Sequence, residues 1–203
     1  MIRKKGLITA AEHMALLQQN PEWVARNAAR EAERLRREEE LQKEEAHLLS
    51  DLANVGIRVD SVWDFVNTGD RYPAAIPVLL RHLMLPYSKR TKEGIVRALT
   101  VNYAGPEVLC ELIRQFREQA DNSANSLKWV LGNAISEVAG PADAETVIGL
   151  ATDPAHGESR DMITQRLPRV VRDKARLREV LQHLMGDKQT EPYARRASRG
   201  QLY

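Results

Sequence analysis

Apolar residues in this chain recur at three- and four-residue spacings in a series of short segments, each bounded by glycine, proline, asparagine or aspartate. Ile76–Leu83, Val108–Phe116, Thr146–Asp153 and Leu177–Asp187 each carry one apolar face, the pattern of a helix that buries a single side. Each of the first three is followed by a second such segment: Glu93–Val101, Leu127–Ser136 and Ser159–Val171. The leading helices recur roughly every 30 to 37 residues, a period typical of stacked helical repeats. Turn-rich stretches at Tyr87–Arg90, Gly105–Pro106, Asp121–Asn125, Gly140–Pro141 and Asp153–Gly157 separate the segments. No stretch keeps period two long enough to argue a strand, and the expected class is all-α.

The first 56 residues follow another pattern. Thr9 and Glu12 form the capping-box spacing for a short helix ending at Asn20-Pro21. Pro21 opens a long helix that runs to about Val55, where Gly56 supplies a C-cap. Its middle pairs Glu33 with Arg37, Arg34 with Glu38, Arg36 with Glu40 and Glu39 with Lys43, each pair contributing about 0.2–0.5 kcal/mol. The apolar stripe Val24, Ala28, Ala32, Leu35 resumes only at Leu48, Leu49, Leu52 and Val55, with Glu38, Gln42 and Glu45 between. A sustained coiled coil needs an unbroken seam, so the helix reads as a solvated arm, with an oligomerising or partner-binding arm as the alternative. Residues 57–71 then carry a short helix capped by Asp60 or Ser61, whose Trp63 and Phe65 are placed to plug the end of the repeats. The division expected is 1–56 extension, 57–71 cap, 72–187 repeats, and 188–203 basic tail or truncated repeat helix.

Composition narrows this picture. With 203 residues and 43% hydrophobic content the chain can build a sizeable core. A formal charge of +2 excludes the strongly basic class of nucleic-acid binders. No apolar run approaches the ~18 residues of a membrane span. Glu12 and His13 interrupt the basic start, so no signal peptide is expected. One cysteine excludes an internal disulfide and fits a cytoplasmic setting.

The segment from about Tyr72 to Ser198 resembles HEAT-like repeats of the phycobilisome-lyase type. The resemblance rests on Pro77, Leu79, Leu80 and Leu83 in one helix with Arg97, Ala98 and Leu99 in the next. It continues with Asp153 and Arg160 at one helix–helix junction and Asp187 at the following one. It implies a right-handed stack of antiparallel helix pairs, a concave face lined by second helices, and a polar ladder between repeats. The middle unit departs, because its loop is longer and Asp121 substitutes only roughly for the usual aspartate–arginine pair. Small bacterial proteins of similar layout include candidate toxin-neutralising immunity proteins.

Candidate chemistry is sparse. The five histidines are scattered, no HExxH occurs, and no metal or cofactor is expected. Cys110 sits beside Leu109 and Ile113 and reads as a core thiol. Nucleophile-elbow and phosphate-loop motifs are absent, and Gly132 reads as a close-packing position. No enzyme activity is expected. The basic residues Arg166, Arg169, Arg172, Lys174, Arg176, Arg178, Lys188, Arg195, Arg196 and Arg199 crowd the C-terminal part, while Asp121–Asp161 is acidic. Two such patches suit protein recognition through charge complementarity. The candidate binding ridge on the second helices is Lys92, Arg97, Lys128, Asn133, Arg160, Gln165 and Arg169, with a basic patch at Arg172, Lys174, Arg176, Arg178, Arg195, Arg196 and Arg199. The expected function is a non-catalytic protein-binding module whose partner is another protein, a toxin domain being one candidate. The alternatives are a nucleic-acid binder resembling HEAT-like DNA glycosylases, with Trp129 and Asp161 in its site, and a structural oligomer built through the N-terminal helix.

Overall fold

The computed structural model describes residues 9–121 and 123–200, and the side chains of all of these but Asn67. It is all-helical: α1 (Ala10–Gln18), α2 (Pro21–Asn54), α3 (Ile76–Leu83), α4 (Lys89–Ala98), α5 (Pro106–Glu118), α6 (Leu127–Val138), α7 (Ala144–Thr152), α8 (Asp161–Val170), α9 (Lys174–Leu184) and α10 (Glu191–Ser198). Short 3-10 segments lie at Val62–Asn67, Pro73–Ala75, Pro141–Asp143 and Pro154–Arg160, and there is no strand among the described residues. No helix among them is long and apolar enough to cross a membrane. The chain divides into two units between Glu44 and Glu45, within α2.

The first unit is held by local chemistry. The Glu12 N–H donates to Thr9 Oγ1 at 3.2 Å and the Thr9 N–H donates to Glu12 Oε2 at 2.9 Å, completing the expected capping box. Asn20 caps α2, its side-chain oxygen accepting from the N–H groups of Glu22 and Trp23. Glu33–Arg37, Arg34–Glu38 and Arg36–Glu40 form as their spacing predicts, joined by Glu31–Arg34 and Glu33–Arg36. No residue of 9–44 is buried, and Met14, Leu16, Val24 and Leu35 are exposed.

The second unit begins earlier than residue 57, because the last turns of α2 belong to its core: Glu45, Leu48 and Leu52 are buried. Glu45 had read as a residue that breaks the seam. Its carboxylate instead accepts the Val62 N–H at 3.1 Å, satisfying an orphan donor at the start of the 3-10 segment with a favourable charge. At Gly56 the chain turns with φ +83°, the left-handed geometry that closes a helix. Ser61, rather than Asp60, caps Val62–Asn67, which packs against α4. Phe65 is buried and Trp63 partly so, with Arg90 stacked 4.2 Å over the Trp63 ring.

Four consecutive helix pairs follow: α3 with α4, α5 with α6, α7 with α8, and α9 with α10. The second members also touch in sequence, α4 with α6, α6 with α8, and α8 with α10. Several boundaries differ from expectation. Ser88 caps α4, so Lys89 and Arg90 are helical rather than part of a turn. Ser159 falls before α8, in the 3-10 segment that Asp153 caps through the Ala155 N–H. Residues 191–198 form a helix with Ala194 and Ala197 buried; residues 201–203 lie outside the described set. Cys110 is exposed rather than core-packed. The buried stripe of α5 is Val108, Leu109, Leu112, Gln115 and Phe116, and Cys110 faces away from it at helical periodicity. Gly132 behaves as expected: a Cβ there would lie 2.3 Å from the Ser159 carbonyl oxygen.

Candidate functional site

Polar bonds reach between neighbouring helices, some within a helix pair and some from one pair to the next. The Gln115 side-chain amide donates to the Leu83 carbonyl at 3.0 Å. Lys128 Nζ donates to the Gln119 carbonyl at 3.0 Å, in the field of the Asp153 carboxylate. Arg160 donates to the carbonyls of Ala151 and Gly157 and pairs with Asp187 at 2.5 Å. These cations reach the unpaired carbonyls at the ends of neighbouring helices, where positive charge is favoured. Lys128 bonds across its own helix pair, α5 with α6, and Glu137 of α6 links that pair to α8 through Arg166 and Arg169. Burial pushes the Lys128 ammonium pKa down, and the Arg160 guanidinium holds the Asp187 carboxyl below its usual range.

This architecture splits the predicted ridge. Lys128, Arg160 and Gln165 are buried, so they present no surface to a partner and serve the interior instead. Lys92 acts on Glu111 of α5. Arg169 shares Glu137 with Arg166 across α6 and α8. Only Arg97 and Asn133 meet in one place, a cleft of about 400 Å³ beside α4 and α6.

The 68–72 loop and the turn after α4 supply the rest of that cleft. Arg71 stacks 4.5 Å over the Tyr103 ring, and Tyr103 Oη accepts the Tyr72 N–H at 3.3 Å. Tyr72 packs on Phe65, with ring centres 4.5 Å apart, and donates its hydroxyl to the Ala98 carbonyl at 2.9 Å. Burial, then the neighbouring Tyr103, pushes the Tyr72 phenol up to about 12, so it stays protonated and acts as a fixed donor. Arg97 is braced by Glu93, one turn away on α4, at 2.9 Å. The cleft therefore joins two guanidinium groups, Arg71 and Arg97, to apolar and aromatic walls from Val66, Val101 and Tyr103, with Asp70 the one carboxylate in its lining. Such a surface can hold a carboxylate-bearing, partly apolar segment by charge and contact, and it lacks the paired carboxylates or activated nucleophile of a hydrolytic site. The sequence pattern missed Arg71 and Tyr103 because both sit in loops, where helical periodicity does not say which residues meet.

The basic patch is less basic in three dimensions. Arg176 is clamped by Glu145 and Glu179, Arg195 pairs with Glu191, and Arg196 lies 5.6 Å over the Tyr193 ring. Arg172, Lys174, Arg178 and Arg199 are exposed. The acidic and basic stretches, expected as opposed patches, are joined in part by ion pairs: Glu137 with Arg166 and Arg169, Glu145 with Arg176. Trp129 packs against the core, and Asp161 is buried with Gln189 donating to it at 3.2 Å.

No protein-family model matches this chain, and comparison with curated proteins and with solved structures gives no match.

Proposed function

We propose that this chain is a non-catalytic protein-binding module of HEAT-like build, working through the cleft beside α4 and α6. The observation that carries the reading is the meeting of Arg71, Arg97 and Asn133 with the Val66, Val101 and Tyr103 walls. The ion-pair rung Glu137–Arg166–Arg169 extends the polar face along α6 and α8. The ligand suited to this surface is a protein segment with an acidic side chain next to an aliphatic or aromatic one. Binding a toxin domain, as an immunity protein does, is one form of this activity.

A displayed peptide library panned against the full chain tests it. Enriched sequences should carry Asp or Glu beside an apolar residue, and the double variant Arg71→Glu/Arg97→Glu should abolish enrichment. Enrichment that survives the double variant, or none at all, overturns the reading. The exposed Arg172, Lys174, Arg178 and Arg199 favour nucleic acid as the second reading. A gel shift over a salt series checks it, since phosphate contacts give strongly salt-dependent binding.

A further inference from the structure

Two of the histidines that are scattered in the sequence meet in the fold. His47 and Asp51 lie one turn apart on α2 and so share a face, and His82 comes to them from α3. His82 Nε2 is 3.0 Å from Asp51 Oδ2, and His47 Nε2 is 4.0 Å from the same oxygen. One donor atom from each residue lies within 4.8 Å of the other two.

We propose that His47, Asp51 and His82 form a binding site for a divalent transition-metal ion, zinc foremost, that staples the end of α2 to α3. Zinc bonds of about 2.0–2.2 Å to imidazole and carboxylate place tetrahedral ligand atoms roughly 3.4 Å apart. The observed 3.0 and 4.0 Å bracket that edge, so loading needs only a small movement of the exposed His47 ring. Two imidazoles and one carboxylate are a zinc ligand set, leaving the fourth position to water.

The surroundings support the site. Tyr87 Oη lies 2.7 Å from His82 Nδ1, the outer-shell bond that orients a ligating imidazole and fixes which nitrogen faces the metal. With its hydrogen on Nδ1, donated to Tyr87, the His82 ring turns the Nε2 lone pair toward the ion. His82 is buried while His47 is exposed, which combines a rigid inner ligand with an entry path. A structural hydrogen-bonded chain would account for Asp51, His82 and Tyr87 but has no use for His47, whose ring centre sits 5.0 Å from that of His82. One group opposes the ion: Arg81 Nη2 is 3.5 Å from Asp51 Oδ2 and is itself largely exposed. It competes for the same carboxylate and must swing away on loading.

The test uses the full chain stripped of metal and titrated with zinc against a chromophoric chelator, with cobalt(II) as a spectroscopic probe. One equivalent should bind, and cobalt should give the visible bands of a four-coordinate site. His47→Ala, a surface change that leaves the thermal melt of the metal-free protein unaltered, should weaken zinc at least tenfold. Tyr87→Phe should weaken it by about tenfold through the outer shell. Arg81→Ala should tighten it, an effect that a purely structural Asp51–His82 contact does not produce. Absence of stoichiometric binding overturns the proposal, and so does zinc affinity indifferent to both His47→Ala and Arg81→Ala.

Discussion

Residues 9–44 and residues 45–200 use the same side-chain chemistry at opposite ranges. In the first region the ion pairs join residues three or four apart on an exposed helix, as with Arg34 between Glu31 and Glu38. In the second, several join one helix pair to the next: Arg160 with Asp187, Arg166 and Arg169 with Glu137, Arg176 with Glu145. Local pairs raise helix content one segment at a time and contribute tenths of a kcal/mol each. These longer-range pairs tie neighbouring helix pairs together, so their loss acts on the whole packed region.

The sharpest test of that region is steric. At Gly132 an added methyl group meets the Ser159 carbonyl oxygen at 2.3 Å and Phe116 at 3.2 Å, whereas nothing lies within 4 Å of one at Gly149. Gly132→Ala should therefore destabilise the chain by about 3 kcal/mol, at the upper end of overpacking. Gly149→Ala, in α7, should stabilise it by about 1 kcal/mol from helix propensity alone. Urea denaturation of the two variants measures both, and equal effects would mean that α6 does not approach the 154–160 segment as described.

Breaking the Arg160–Asp187 pair comes next. Arg160 is buried, with its other donors on the Ala151 and Gly157 carbonyls, while Asp187 is partly solvated and can recover water. Arg160→Ala should cost about 2–3 kcal/mol, below the range for a fully buried pair. A cost under about 1 kcal/mol would reduce the longer-range pairs to the status of the surface pairs in α2.

These contrasts explain what the sequence could disclose. The all-helical class, the Thr9 cap, the Gly56 stop and the close approach at Gly132 all follow from local spacing, and each is present among the described residues. The ridge was only partly legible, because helical periodicity gives the face of a residue but not which neighbour covers it. Lys128 and Arg160 look like surface cations until the preceding helix end is placed beside them. The separate charge runs likewise look like two patches until Glu137 and Glu145 are seen to pair with arginines of the basic run. Arg71, Tyr103 and the His47–His82 meeting depend on contacts 31 to 35 residues apart, which no local pattern encodes.

Acidification tests the packed region at a smaller scale. Burial, together with the positive charge of Lys128, pushes the His156 imidazole down from its ordinary value of 6.5. A base with a depressed folded pKa contributes stability that is fully present above the unfolded value and lost as pH falls through the folded one. Stability should therefore decline as pH drops below about 6.5. His156→Gln should flatten that decline while leaving the Asp187 contribution, whose folded carboxyl is also depressed, to be lost at lower pH. Identical stability–pH slopes for both proteins between pH 6.5 and 4.5 would exclude His156 as the source.

The smallest expected effect belongs to the exposed helix, and it separates the two regions most cleanly. Glu33 pairs with both Arg36 and Arg37, so Glu33→Gln removes two contacts at once. The expected cost is about 0.5 kcal/mol of local helix stability, seen as faster amide exchange in α2 before Glu44. High salt should reproduce it in the unmodified chain, since exposed pairs are screened at 1 M ionic strength, where the Debye length is about 3 Å. The urea midpoint of residues 45–200 should stay within error, because none of its core includes a residue of 9–44. If Glu33→Gln lowers that midpoint as Arg160→Ala does, the helix before Glu44 is part of the same cooperative unit, and the contrast between local and longer-range pairing fails.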